Sequence, residues 1–244
     1  MKTWRDVARY HLVLPWAPLL IPWAILACSF LVNLVIFALA PDGHHNVMTS
    51  HGLVSVPDAS HGYTGGVASI FILFLVIGVS LVGRSLPFAL ALGVSRRSYY
   101  AGSAALGVAL SVADGLALAA LQVIERSTDG WGVRMNFFRV PYILAGPWYL
   151  TWLTSSVGLA LLFVYGMWVG IVFRRWSLIG VAAFVIAQLT VVLAVVLLVA
   201  GANAWSSVGH FFTGLTAAGL TGLLAVLAAL LLAGGQATIR RATV

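Results

Sequence analysis

Asp114 is the one acidic residue well inside an apolar run, and a lone carboxylate in lipid costs about 2.5 to 3.5 kcal/mol even on the permissive insertion scale. Such a group must face a bundle interior or water. There it lines a substrate path, carries a proton, or stays neutral and hydrogen-bonded to a neighbour such as Ser111. Asn33 and Gln188 are weaker cases of the same kind, suited to lining a path or to hydrogen bonding between helices. Four histidines, His44, His45, His51 and His61, share one stretch with Asp, Ser and Gly. Imidazoles suit a transition metal, but nothing sets these four at helical i, i+4 spacing, and no metal site is expected. His11 and His210 lie at the edges of apolar runs, so no pair of central histidines is available for haem. No Ser-His-Asp, His-Glu-x-x-His or paired-carboxylate set can be assembled on one side of a membrane, and Gly-x-Ser-x-Gly is absent. The phosphate loop G-x-x-x-x-G-K-S/T is missing as well. The residues therefore point to no enzyme and no resident cofactor, and the single cysteine, Cys28, forms no intrachain disulfide.

The elements that must position these groups belong to a chain of 244 residues that is 61% hydrophobic and 8% charged. Its mean hydropathy of +1.04 is far outside the range of a water-soluble domain. The pattern predicts an all-α, polytopic membrane protein with six transmembrane helices, over about 16–40, 66–82, 101–124, 148–173, 177–200 and 211–233, each long enough to cross about 30 Å of hydrocarbon. The runs are continuous rather than alternating, which fits helices and not barrel strands. Residues 1–244 thus read as a single transmembrane domain with no room for a separate soluble one. Residues 1–15 alternate basic and apolar types, with Trp4, Val7, Ala8 and Leu12 at helical spacing. They predict either an amphipathic helix along the inner surface, ended at Pro15, or a simple positive anchor. Lys2, Arg5 and Arg9 make a positive front, but no convincing small-residue cleavage site follows, so the first span is expected to stay in the mature chain.

The formal charge of +7 is spread singly and in pairs at the ends of apolar runs, which is a topological pattern and not a nucleic-acid-binding one. Lys2, Arg5, Arg9, Arg84, Arg96, Arg97, Arg174, Arg175, Arg240 and Arg241 fall on one side of a six-span layout. Arg126, Arg134 and Arg139 fall on the other, offset by Glu125 and Asp129. The positive-inside rule then places both termini in the cytoplasm. Heavy use of Ala, Val, Leu, Gly and Arg with a single Lys points to a GC-rich bacterial source and so to the plasma (inner) membrane. The outer loop at about 125–147 mixes Trp131, Phe137, Phe138, Tyr142 and Trp148 with arginines and is expected to be partly buried at the interface. Gly166-Met-Trp-Val-Gly170 is a G-x-x-x-G, read first as packing within the chain and second as a dimer seam. No internal repeat is evident.

The stretch Gly83 to Gly102, GRSLPFALALGVSRRSYYAG, interrupts two apolar segments and is half greasy, half cationic. That composition suits a short helix on the membrane surface or docked on a partner. Residues Leu86 to Tyr100, with the core Leu92-Gly93-Val94-Ser95-Arg96-Arg97, resemble the loop after the second span of type-2 ATP-binding cassette (ABC) exporter permeases. The layout of amphipathic start, six spans and basic tail is similar too. The resemblance implies that 83–100 forms a cytoplasmic coupling helix driven by a separate ABC ATP-binding subunit, which holds the ATP. Phe88, Leu90, Leu92 and Val94 would fill a groove on that subunit, Arg96 and Arg97 would meet acids at its rim, and Gly93, Ser95, Tyr99 and Tyr100 complete the contact. It also implies pairing with a second permease copy or paralogue, within the lipid bilayer, around a largely apolar cavity for a drug, lipid or peptide. Family members place a re-entrant hairpin before the last span, and the short loop around Gly201 to Ser207 departs from that. Two other classes stay open: an ion-coupled secondary transporter working through Asp114, and a non-transport sensor, assembly or immunity protein working through its outer loops.

Overall fold

The computed structural model describes residues 16–39, 45–49, 52–56, 62–140, 146–214 and 216–241. The expected surface helix over 1–15 lies outside them, as do His44, His51, His61 and Tyr142. The described chain is mostly helical. In order it comprises α1 (Trp16–Leu39), a hairpin of β1 (His45–Thr49) and β2 (Gly52–Val56), β3 (Gly62–Tyr63), α2 (Ala68–Ala91), α3 (Arg96–Ser127), and a wide turn at Gly130–Arg134. β4 (Met135–Asn136), α4 (Trp148–Gly201), α5 (Trp205–Thr213) and α6 (Ala217–Arg241) complete it. Five of these helices are long and apolar enough to cross a membrane, which marks a membrane-embedded chain.

α4 spans 54 residues, about 80 Å if straight and more than twice the thickness of a hydrocarbon core. It is not straight. Ser177 leaves helical geometry altogether, at φ 57° and ψ −157°. Beyond it the chain folds back: Tyr165 Oη donates to Gln188 Oε1 at 2.6 Å, and Phe184 packs on Trp168 with ring centroids 5.2 Å apart. Residues 165 and 188 would be about 34 Å apart on one unbroken helix, so α4 is an antiparallel hairpin of two helices with its corner at Ser177.

The core is a three-helix unit of α2, α3 and the first arm of α4. α2 buries one stripe, Ile70, Phe74, Gly78, Val82, Leu86 and Ala89, at the three- and four-residue spacing of a single helical face. It runs parallel to the first arm of α4. Phe71 lies beside Gly158, Leu75 beside Gly166, and Val79 and Val82 beside Gly170. A Cβ at Gly78 would collide with the Phe163 carbonyl, and one at Gly166 with the Leu75 carbonyl, so the two backbones touch directly. The G-x-x-x-G of Gly166 and Gly170 is therefore spent on packing inside the chain. α3 runs antiparallel to both, with Phe163 against Gly107 and Ser156 against Gly115. α6 joins this unit through a Thr154 to Thr221 hydroxyl pair at 2.7 Å. α1 lies outside it, with Leu26 buried and Leu20, Ile21, Ile25, Val32, Val35 and Ile36 exposed. The second arm of α4 exposes Leu178, Ile179, Ile186, Leu189, Val192 and Leu197, apolar on nearly every face, as a helix in lipid must be.

Several expected boundaries move. The second and third helices are longer than 66–82 and 101–124, and together they absorb the segment read as a separate coupling helix. Only residues 92–95 are left between α2 and α3, too few for any helix. The last helix begins at Ala217 and runs to Arg241, not 211–233, because Trp205–Thr213 forms a helix of its own before it. The all-α expectation also misses two small sheets. β1 and β2 pair antiparallel, from His45 opposite Val56 to Thr49 opposite Gly52. β3 and β4 pair in parallel, Gly62 with Met135 and Tyr63 with Asn136.

These registers give the bundle two ends. The corner at 92–95, Ser177 and the C-terminal part of α6 share one, here called the basic end. The strands, the wide turn and α5 share the other, the loop end.

Candidate functional site

At the basic end, the Leu92-Gly93-Val94-Ser95-Arg96-Arg97 core is a helix stop followed at once by a helix start. Gly93 sits at φ +78°, the left-handed position that glycine accepts without penalty. Gly93 N donates to Leu90 O at 2.9 Å and Val94 N to Ala89 O at 3.0 Å, which satisfies the last carbonyls of α2. Val94 tucks into the core beside this turn, and Ser95 Oγ accepts from Ser98 N at 3.1 Å to cap α3. Two tyrosines then lock the corner. Tyr99 Oη donates to Leu81 O at 3.0 Å and shares a 2.6 Å hydrogen bond with Ser85 Oγ. Tyr100 Oη reaches Leu232 O of α6 at 3.2 Å.

This sorts the expected contact residues. Val94, Tyr99 and Tyr100 are buried, at 8%, 0% and 2% exposure, and present nothing to a partner, because their side chains are what holds the corner together. Leu90 and Arg96 are half-buried, whereas Gly93, Ser95 and Arg97 are exposed. Phe88 and Leu92 keep 50% and 44% of their surface. Arg84 is exposed one helical turn before Phe88, so Arg84, Phe88 and Leu92 form a stripe at i, i+4, i+8. The parallel register of α2 and α4 brings Arg174 and Arg175 to the same end, both exposed, with the Arg175 guanidinium 4.5 Å over the Trp176 ring. This end thus carries a small apolar stripe and several exposed arginines.

The three polar groups expected inside spans do not converge. Trp23 Nε1 of α1 donates to Asp114 Oδ1 of α3 at 3.1 Å, so the carboxylate is half-buried between those two helices. Asn33 Nδ2 donates to Ser29 O of its own helix at 2.8 Å. Gln188 is held by Tyr165 across the α4 hairpin.

The best-built polar site is one that residue types and spacing do not announce. Glu125 is buried at the end of α3, with 1% exposure. Its Oε2 accepts from Trp131 Nε1 at 3.1 Å and from the amides of Phe137 and Phe138 at 2.9 Å each, and its Oε1 accepts from the Arg139 amide at 3.1 Å. The loop after α3 is wrapped around one carboxylate. Residues Asp129, Trp131 and Arg134 take left-handed backbone to do so, which costs about 1–3 kcal/mol each. Phe137 and Phe138 are buried, and Phe30 of α1 packs on Trp131 and Phe137 with centroids 4.8 and 5.4 Å away. The cue in the sequence is an acid in the last turn of a helix, where the dipole disfavours it. The cage itself carries no side-chain signature, since three of its four donors are backbone amides.

Beneath this cap lie hydroxyls of an unusual kind. Thr151 and Ser155 are buried, and their Oγ1 and Oγ atoms have no hydrogen-bond partner among the described residues, nor do Ser156 Oγ, Ser69 Oγ, Thr64 Oγ1 or Asn136 Oδ1. Each unsatisfied group costs about 1–3 kcal/mol. The register puts them at one level. Gly158 beside Phe71 sets Ser155 and Thr151 opposite the start of α2, while Ser156 against Gly115 sets them opposite the last turns of α3.

Among the described residues no group of three His, Cys, Asp or Glu side chains could hold a metal. Comparison with protein-family models, curated proteins and solved structures finds no match to this chain.

Proposed function

We propose that this chain is the membrane subunit of a bacterial ABC exporter, with six spans, set in the plasma membrane and driven by a separate ATP-binding subunit. The observation that carries the reading is the basic end, which exposes Phe88 and Leu92 together with Arg84, Arg97, Arg174 and Arg175. A small apolar anchor and exposed cations at one end suit a groove with an acidic rim on a partner protein. The hairpin at Ser177 supports six crossings over five, since each arm is long enough to span. With six, both ends of the chain lie on the arginine-rich side, the cytoplasmic one by the positive-inside rule. The docking element is then a tight corner between two long helices and not a separate coupling helix. A second copy or paralogue completes the pathway, and the bound nucleotide belongs to the partner.

The test is co-purification. Phe88→Ala with Arg97→Glu changes two exposed side chains and is expected to leave the protein in the membrane while removing a co-purifying ATPase. An unchanged ATPase yield overturns the assignment. A second reading, an ion-coupled transporter, draws support from Asp114, which bridges α1 and α3 through Trp23. That reading requires flux in vesicles free of any ATPase, abolished by Asp114→Asn.

A further inference from the structure

We propose that the loop ends of α2, α3 and the first arm of α4 enclose a polar passage, shut in this structure, with residues 135–139 as its lid and Glu125 as the latch. The inference needs only that the chain is membrane-embedded, and it stands whether or not an ATPase drives the protein.

Thr151, Ser155 and Ser156 are at least nine-tenths buried, and their hydroxyl oxygens have no partner among the described residues. Nor has Asn136 Oδ1, on the lid itself. Buried polar groups in folded proteins are satisfied almost without exception. Within a membrane the usual remedy, bonding to water, is withheld unless the helices part. Hydroxyls placed only to pack helices would reach for a carbonyl on their own helix, as Ser111 Oγ does toward Gly107 O at 2.8 Å and Thr221 Oγ1 toward Ala217 O at 2.8 Å. Thr151, Ser155 and Ser156 do not. Ser156 Oγ faces Gly115 of α3 across the seam, Thr151 and Ser155 are buried at the same level, and all three gain hydrogen bonds when the seam opens and fills.

The lid is positioned to control that opening. Thr64 N donates to Asn136 O at 3.1 Å, tying the start of α2 to the lid. The Phe137, Phe138 and Arg139 amides end on Glu125 of α3. Phe137 also fills the space beside Gly66. Releasing one carboxylate removes three of the segment's backbone hydrogen bonds at once and leaves it held by β3 and by the packing of Phe137. The seam offers hydroxyls and an amide oxygen, with both oxygens of Glu125 already taken by the lid, so it suits water and uncharged hydrogen-bonding solutes. This differs from the greasy cavity that the family resemblance implies.

The experiment uses single cysteines in the full chain on a Cys28→Ser background, Cys28 being exposed. The probe is a membrane-impermeant methanethiosulfonate reagent, which reacts with the thiolate and so only where water reaches. Ser155→Cys and Thr151→Cys are compared with Val192→Cys, which lies on the exposed apolar arm of α4. The seam positions are expected to react at least roughly tenfold faster than Val192→Cys through transient opening. Adding Glu125→Gln, which loosens the lid, is expected to raise their rate by a further factor of about ten or more. Seam cysteines that react no faster than Val192→Cys overturn the passage. Seam cysteines that react but ignore Glu125→Gln overturn the latch. Should Glu125→Gln fail to fold, the comparison in the otherwise native chain still decides the passage. The measurement is made on protein purified without any ATPase, so its failure is distinct from failure of the docking reading.

Discussion

Glu125 shows how much of a loop one side chain can organise. Four N–H donors end on its carboxylate, and bonds to a charged group contribute about 1.5–3 kcal/mol each. Glu125→Gln turns one acceptor into a donor aimed at an amide. It is expected to lower stability by about 2–4 kcal/mol, seen as an earlier thermal transition in detergent and a red shift in the emission of Trp131. Asp114→Asn is expected to behave oppositely. Its amide oxygen can still accept from Trp23, so the melting transition should stay within about 1 kcal/mol of the parent; a large drop would mean that the negative charge itself holds α1 to α3. Asp114 was legible as a special residue because a lone acid interrupts an apolar run. Glu125 was not, because its partners are amides of a loop whose residue types say nothing about where their N–H groups point.

Among the elements, the corners are more informative than the helices. The long apolar runs were plain in the sequence, since some twenty consecutive greasy residues are stable only with lipid or protein on every side. The stretch 83–100 is harder to read because its mixed composition fits both a surface helix and two helix ends leaving the membrane. Gly93 and Ser95, two residues apart, are the deciding signals: a left-handed stop and a capping start leave no length for a third helix. The last span, expected over 211–233, is displaced for a similar reason. Phe211 and Phe212 are apolar enough to be read with the last run, but α5 ends at Thr213 and α6 begins only at Ala217. Ser177 carries backbone that glycine alone adopts readily, at a cost of about 1–3 kcal/mol. Ser177→Gly is therefore expected to raise the melting temperature and Ser177→Val to lower it. Equal melting of the two would remove the strained corner from the account.

For the whole molecule, alternating helix directions make a testable map. Three apolar helical stretches, α3 and the two arms of α4, separate Ser95 from Ser206, both exposed. Ser95→Cys and Ser206→Cys, each on the Cys28→Ser background, are expected to react with an impermeant reagent from opposite faces of sealed vesicles. Reaction from one face would mean that α4 crosses only once and that the Ser177 reversal lies elsewhere. The gathering of arginines at helix ends was legible in the sequence, because charged side chains are costly within an apolar run and sit where helices stop. The docking of two loops through Gly62-Tyr63 and Met135-Asn136 was not, since a two-residue parallel pairing between loops has no sequence period to reveal it.

Tyr99 and Tyr100 are neighbours in the chain, yet their hydroxyls grip different helices, one the carbonyl of Leu81 and the other that of Leu232. The start of α3, just after the corner at 92–95, is therefore tied to α2 and to α6 at once. Any displacement of that corner loads two separate helices through two adjacent side chains.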